Sequence, residues 1–396
     1  MSVADGTTHR KEDHMLSKIS IQGFKSIHDI QDLELGLVNV FIGANGSGKT
    51  NLLEAVGMLS AAASGRVDSE SKRRRGVRLS VPHLYRTSLK KKATNQPIIL
   101  KAVGEWNNVW AKASASLLNS PKNEIGNWVY QLEDNNHEIV THQMLAHGLF
   151  SGVTSQLHQH LLGMAIFSPT TPVLRGIQPD IASRDPVGLL GGRLAEAIAD
   201  ILDQPQEKLG SMDLEDLFDL LDWVDEFDIT SPSRELLSPD VPSLRSVVRF
   251  TDYWMNEARN QLSGYDANEG VLYVLFMLVL ALHPRMPRFF AVGNFDHSLN
   301  PRLARALARL FCQLIIESDP PRQVLLTTHN PLVLDALDLS DDRIRLFAVE
   351  RTRSTGGATR VYRIQVSDEV LKATPAGLSL SNLWVMGRLG GVPNLF

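Results

Sequence analysis

Leu37-Val38-Asn39-Val40-Phe41-Ile42-Gly43-Ala44-Asn45-Gly46-Ser47-Gly48-Lys49-Thr50-Asn51-Leu52-Leu53-Glu54-Ala55-Val56 is the stretch on which the reading of this chain turns. An apolar run with strand character leads into a glycine-rich segment, and a helical run follows. The central segment Gly43 to Thr50 fits G-x-x-x-x-G-K-[ST] in the strand-loop-helix setting that a phosphate-binding loop requires. The glycines let backbone N–H groups turn into one hollow, the helix adds the positive end of its dipole, and Lys49 brings a full charge. This reading assigns Asn45, Gly46, Ser47, Gly48, Lys49, Thr50 and Asn51 to nucleotide binding, with Thr50 as a ligand of Mg²⁺.

Outward from this loop, the composition sets limits. A chain of 396 residues exceeds the usual single core, so two or three lobes are expected. With 43% hydrophobic and 21% charged residues it reads as an ordinary soluble protein, and a net charge of −4 argues against a globally basic nucleic-acid binder. The single cysteine, Cys312, allows no disulfide within the chain, which suits the cytoplasm. The longest apolar run, Val271 to Leu282, falls short of the roughly 20 residues that cross a bilayer and reads as a buried helix. Residues 1–15 are polar and mixed in charge, and the expectation there is a disordered lead-in.

Strands are expected at Lys18 to Ile21, which Gly23 to Ile27 continues into a turn, and at Leu161 to Phe167. Two hairpins are expected, Ile98 to Glu105 with Val109 to Leu117 and Trp128 to Glu133 with Glu138 to Thr141. Lys72 to Arg75 and Lys90 to Lys92 are basic clusters without interleaved aromatics, which favours solvated charge over nucleic-acid contact. Helical spacing links Leu190, Leu194, Ala197, Ile198 and Ile201, and again Leu214, Leu217, Phe218, Leu221, Val224 and Phe227 behind a cap at Asp213. The second of these carries an unbalanced acidic face, and a third helix is expected over Ser243 to Leu262.

Further on, the strand Phe289 to Val292 leads into Gly293-Asn294-Phe295-Asp296, Asn300-Pro301 opens a helix, and the strand Val324 to Thr328 delivers His329 to its end. Strands alternating with helices argue for a mostly parallel sheet, with ligands beyond its carboxyl edge, where the phosphate loop, Asp296 and His329 gather. A hairpin of Ile344 to Val349 with Thr359 to Gln365 and a final helix complete the chain.

The ordered set Gly23-Phe24-Lys25-Ser26, Gly43 to Asn51, Phe289 to Pro301 and Thr327-Thr328-His329-Asn330-Pro331 resembles ABC-type ATPase heads of the RecF, structural-maintenance-of-chromosomes (SMC) and OLD class. It is similar in particular to the AAA family ATPases of bacterial anti-phage defence systems. The resemblance implies an α/β P-loop NTPase head with a mostly parallel core sheet, an antiparallel β lobe and a helical insertion. It also implies ATP and Mg²⁺ as cofactors. The expected division is 16–160 for the N-terminal ATPase part with the β lobe, 161–264 for a mainly helical insertion and 265–396 for the C-terminal ATPase part.

In such heads two subunits close head to tail, each ATP lying between one phosphate loop and the partner's signature segment. By position that segment is Asn268-Glu269-Gly270, with Ser263-Gly264 as the alternative. The class places Asp-Glu after the second apolar strand, one to hold Mg²⁺ and one to orient the attacking water. Here Gly293 and Asn294 stand there, and neither side chain serves as a carboxylate. Hydrolysis is therefore expected to be slow. The candidate catalytic residues are Asn294, Asp296 and His329, with Asp296 joining Thr50 as a metal ligand. The implied partners are a second copy of the chain and a separate effector protein, with nucleases among the candidates, because the stretch after His329 is short. DNA is the partner under the competing reading, a repair or recombination ATPase of RecF type that uses the basic clusters or the Arg302, Arg305 and Arg309 face. No membrane is implied.

Overall fold

The computed structural model describes residues 15–90, 96–106, 108–117, 128–140, 144, 150–182, 184–204, 220–241, 245–351, 353–354, 356–365 and 379–389. Its centre is a six-stranded sheet in the order β15 (Thr359–Ile364), β14 (Ile344–Arg351), β3 (Val38–Ile42), β13 (Gln323–Thr328), β12 (Phe289–Val292) and β8 (Ile166–Phe167). All of its strands run parallel except β15, which returns antiparallel on β14. The central strands β3, β13 and β12 are buried along their whole length because both faces are covered. Val38, Val40, Ile42, Phe290, Val292, Val324, Leu326, Leu346 and Ala348 point into one core. The alternating residues Phe41, Phe289, Ala291, Leu325, Phe347 and Val349 point into the other.

The second core is closed by a six-stranded antiparallel sheet, ordered β2 (Ile27–Glu34), β1 (Leu16–Phe24), β4 (Ile98–Trp106), β5 (Val109–Leu117), β6 (Trp128–Asp134) and β7 (Ile139–Val140). Between the sheets lies α1 (Lys49–Ala63), of which all but Thr50 and Asn51 are buried. Its apolar residues and alanines on every side suit a helix packed all round. α2 (Ser69–Arg73) and α3 (Gly152–Gly163) flank it. The other core gathers α4 (Leu194–Leu202), α5 (Glu269–Leu282) and α6 (Pro301–Glu317), and α7 (Leu380–Val385) packs on its margin. No helix among the described residues is long and apolar enough to cross a membrane.

Three expectations about local structure are corrected. Leu161 to Gly163 are the end of α3 and Met164 and Ala165 belong to neither element, leaving only Ile166–Phe167 as a strand. The helical spacing carried through Val224 and Phe227 does not continue as a helix: Val224–Thr230 is the strand β9. Ser243 to Leu262 likewise holds β10 (Val247–Asp252) and β11 (Gln261–Ser263). These strands form the antiparallel sheet β11-β10-β9, so the described part of 161–264 is mixed rather than mainly helical. Pairing across the sheet decides this, with Phe227 opposite Phe250 and Arg249 ion-paired to Asp228. Val247, Val248, Ile229 and Thr230 are β-branched and favour extended backbone once a partner strand is present. The proposed cap Asp213, the acidic residues up to Asp219, Lys91, Lys92 and residues 1–14 lie outside the described residues.

Candidate nucleotide-binding site

The carboxyl ends of β3, β13 and β12 lie side by side, so the segments that follow them meet. The loop after β3 begins with Gly43, where a Cβ would stand 2.1 Å from the Val349 carbonyl oxygen. It ends with Gly48 at φ +110°, where a Cβ would meet Thr359 Oγ1 at 2.2 Å and Ser26 Oγ at 3.0 Å. Only glycine fits either position. At the centre of this tight turn the buried Ser47 hydroxyl has no hydrogen-bond partner, as expected of a loop built to receive acceptor oxygens. Thr50 stands exposed in the first turn of α1, and Asn45 and Gly46 are exposed at the crest.

Lys49 lies over the loop and is only 5% exposed. Its ammonium donates to the carbonyls of Gly43 (2.6 Å) and Ala44 (3.0 Å) and lies 3.3 Å from His329 Nδ1. Burial pulls Lys49 down to about 8, and Asp296 opposes that shift. Burial and then the Lys49 charge lower His329, so its ring is neutral near pH 7 and Nδ1 accepts from the ammonium. A phosphate ligand needs Lys49 protonated. Apparent ATP affinity is therefore expected to be flat to about pH 8 and to weaken above it by up to about tenfold per pH unit. Titrations between about pH 7.5 and 9.5, where the ATP charge is constant, check this, and a pH-independent affinity there counts against Lys49 as a phosphate ligand.

Asp296 comes to the same place by an indirect route. Asn294 sits at φ +56°, its N–H donating to Thr327 Oγ1 (2.9 Å) and its carbonyl accepting from the Tyr273 hydroxyl (2.9 Å). Phe295 is fully buried, and its N–H donates to the Thr327 carbonyl at 2.8 Å. The loop so wound turns Asp296 back to the sheet edge, where Oδ1 accepts from the His329 backbone N–H at 3.1 Å. The other carboxylate oxygen has no hydrogen-bond partner among the described residues. A half-buried carboxylate of this kind, beside Lys49 and with one oxygen unspent, is a fitting donor for a hard cation together with the Thr50 hydroxyl and phosphate oxygens. The Asn294 side chain is exposed.

Two features escaped the sequence reading. Ser26 and Thr359 brace the phosphate loop: Asn51 donates to Ser26 Oγ (2.7 Å), Ser26 and Thr359 hydroxyls meet at 2.7 Å, and Thr359 donates to the Ser47 carbonyl (2.8 Å). Thr359 lies 333 residues from Ser26 and carries no local signal. The second feature is Glu54, wholly buried on α1 and ion-paired to Lys25 and Arg78. Together they explain Gly23-Phe24-Lys25-Ser26, whose lysine holds the helix and whose serine holds the loop. Lys25 itself sits at φ +50° in the turn after β1.

Asn268 and Gly270 lie at the amino end of α5. The Asn268 side chain accepts from the Val271 N–H at 3.0 Å, and Glu269 accepts from the Thr171 hydroxyl at 2.7 Å. The alternative, Ser263-Gly264, is buried at 0% exposure for Ser263, whose hydroxyl is bound to Asp266 at 2.6 Å. A groove of about 680 Å³ opens beside the phosphate loop, with Lys25, Ser26, Asn51, Arg78, Leu84 and Arg351 on its walls.

The parallel sheet with its phosphate loop at β3, the antiparallel lobe and the histidine after β13 give the chain the fold of the ABC-type P-loop head domains. Comparison with known proteins agrees. The family model described as "AAA domain" matches residues 18–138, and the model described as "AAA domain, putative AbiEii toxin, Type IV TA system" matches residues 175–335. The DNA replication and repair protein RecF of Renibacterium salmoninarum is 48% identical over 58 residues, a span of 14% of each chain. Among solved structures, an SMC head bound to the C-terminal winged-helix domain of ScpA has a TM-score of 0.55 at 13% identity, covering 91% of this chain and all of that one. The SMC head with extended coiled coil bound to the C-terminal domain of ScpA, from Pyrococcus furiosus, has a TM-score of 0.51 at 11% identity, covering 91% and 98%. At such identities these likenesses are likenesses of fold.

Proposed function

We propose that the chain binds ATP with Mg²⁺, closes on a second copy of itself in the bound state, and acts as a sensor or scaffold for a separate effector protein in bacterial antiviral defence. The observation that carries this reading is the meeting of Lys49, His329 and Asp296 over the glycine loop, with Gly293 and Asn294 where the class keeps its carboxylates. Asn45 to Asn51 hold the phosphates, and the base and ribose lie in the groove beside Ser26 and Arg351. Asn268 and Gly270 meet the nucleotide of the partner copy. Thr50 and Asp296 hold Mg²⁺, which when bound offsets the phosphate charge. The solved SMC heads bound to a ScpA domain are a precedent for a protein partner.

Without Asp-Glu, hydrolysis is slow by about a hundredfold or more, because a missing metal-holding or water-positioning group costs a few kcal/mol of barrier. Binding keeps its backbone cradle. Gly293→Asp is therefore expected to raise Mg²⁺-dependent turnover about tenfold or more. Its Cβ would stand 2.8 Å from Ser168 Oγ, a single hydroxyl that can rotate away. Asp296→Asn is expected to weaken Mg²⁺-dependent ATP binding by about tenfold, while leaving Mg²⁺-free binding close to that of the parent. ATP with Mg²⁺ is expected to shift the mass in light scattering from monomer to dimer. Protein that stays monomeric at saturating ATP and retains no second gene product on purification is not a sensor head of this kind.

The RecF match favours a second reading, a DNA repair or recombination ATPase. Arg302, Arg305 and Arg309 stand exposed along α6 and are the surface it would use. That reading requires DNA affinity that falls steeply with salt, and a flat, weak response removes it.

A further inference from the structure

At the opposite end of α1 from Lys49, about 20 Å away by helix rise, lies a second groove of about 690 Å³. Five arginines face it, Arg66, Arg73, Arg74, Arg75 and Arg184, against the carboxylates of Asp68 and Glu70. The carboxylates are already engaged. Asp68 caps α2 by accepting from the Ser71 N–H at 2.7 Å, and Glu70 is shared by Arg73 (3.1 Å) and Arg74 (2.8 Å).

The remaining three arginines have no ion pair among the described residues. Arg75 is 6% exposed, and its guanidinium is bound only by neutral oxygens: Ser60 Oγ at 2.6 Å, and the Ser71 hydroxyl and carbonyl at 2.9 and 3.0 Å. Arg184 donates to the carbonyls of Gly163 (2.6 Å) and Met164 (3.2 Å) at the end of α3 and of Arg74 (3.1 Å). Burial first, then the charges of Arg184 and Arg74, pulls Arg75 down to about 10 against the opposing pull of Asp68.

Magnitudes decide what this means. The carboxyl ends of α1 and α3 offer roughly half a negative charge each, about one in total. The arginines exceed the carboxylates by three, so about two positive charges stay unbalanced around a partly buried groove. Buried charge is costly until it is paired. Guanidinium forks match phosphate oxygens, and the apolar lining is Leu162, Ile181 and Ala182 with no aromatic ring for a base to stack on, so charge rather than a base is recognised. We infer that this groove binds a phosphate-bearing anion of two or more negative charges, at a site separate from the phosphate loop.

The test uses the full chain carrying Lys49→Ala, which silences the phosphate loop and makes the outcome independent of the proposed ATP function. Inorganic tripolyphosphate and a 5′-phosphorylated dinucleotide are titrated calorimetrically in separate arms. At least one is expected to bind, about tenfold or more weaker when Arg66, Arg73 and Arg74 are all changed to alanine, and severalfold tighter in Glu70→Gln, which frees two arginines. The tighter arm names the source of the phosphate. These changes touch exposed or half-buried side chains, and the gain in Glu70→Gln cannot come from misfolding. Absence of binding in both arms, or binding indifferent to the arginine and Glu70 changes, overturns the inference.

Discussion

Replacing Lys49 by alanine is expected to weaken ATP binding by about a hundredfold or more while leaving the fold intact. The side chain is 5% exposed, so its charge acts in a site from which water is largely excluded. Charge-assisted hydrogen bonds of this kind contribute about 1.5–3 kcal/mol each, and losing contact with two phosphate groups amounts to about two decades in affinity. The change also frees the carbonyls of Gly43 and Ala44, but the space vacated by the side chain lets water reach them. Calorimetric titration with ATP, beside circular dichroism as a control of folding, checks the result. Unchanged affinity and unchanged assembly would show that the nucleotide is held elsewhere.

The largest effect on stability is expected from Glu54→Ala. Glu54 is wholly buried, and the Lys25 side chain beside it is only 11% exposed. Removing the carboxylate leaves the lysine buried without its partner, a change that costs about 3–5 kcal/mol. Arg78 is 61% exposed, and its pairing with Glu54 adds little to that figure. The double variant Glu54→Ala with Lys25→Met is expected to recover much of the loss, because no buried charge is then stranded. Denaturant unfolding of the parent, both single variants and the double closes the cycle. Equal losses that simply add would mean that the pair is not coupled.

The same pair sets an acid limit. Burial raises the Glu54 carboxyl, but Arg78 and Lys25 outweigh it, so the folded value lies below the ordinary one. A carboxylate lowered in this way stabilises the fold above its unfolded value. That contribution fades as pH falls through the folded value, and Glu54→Ala should accordingly show less acid dependence than the parent.

The sequence was most legible where a local requirement is strict. Gly43 to Thr50 needs glycines at fixed places and a strand and helix on either side, all of which are adjacent in the chain. The alternation of Phe289 to Val292 and Val324 to Thr328, apolar on both faces, likewise announced buried parallel strands. Helical spacing misled at Val224 to Phe227 and over Ser243 to Leu262, because a period of three or four residues says nothing about a strand partner 20 residues away. Phe227 and Phe250 are a pair only after the chain has turned.

By itself, then, the sequence determined that a phosphate-binding loop stands at the end of a buried strand, that Gly293 and Asn294 supply no carboxylate, and that His329 follows a third strand. Tertiary structure alone decided what surrounds them. It turned Asp296 onto the His329 backbone by winding the chain at Asn294 and anchoring it to Tyr273 and Thr327. It brought Thr359 under the loop, paired Lys25 with Glu54, and left Arg75 beside Arg184 without an ion pair among the described residues. The physical reason is common to all four. Loop geometry is fixed by neighbouring dihedral angles, which the sequence states directly, whereas charge compensation and hydrogen-bond partnership depend on distances that exist only once distant strands have paired.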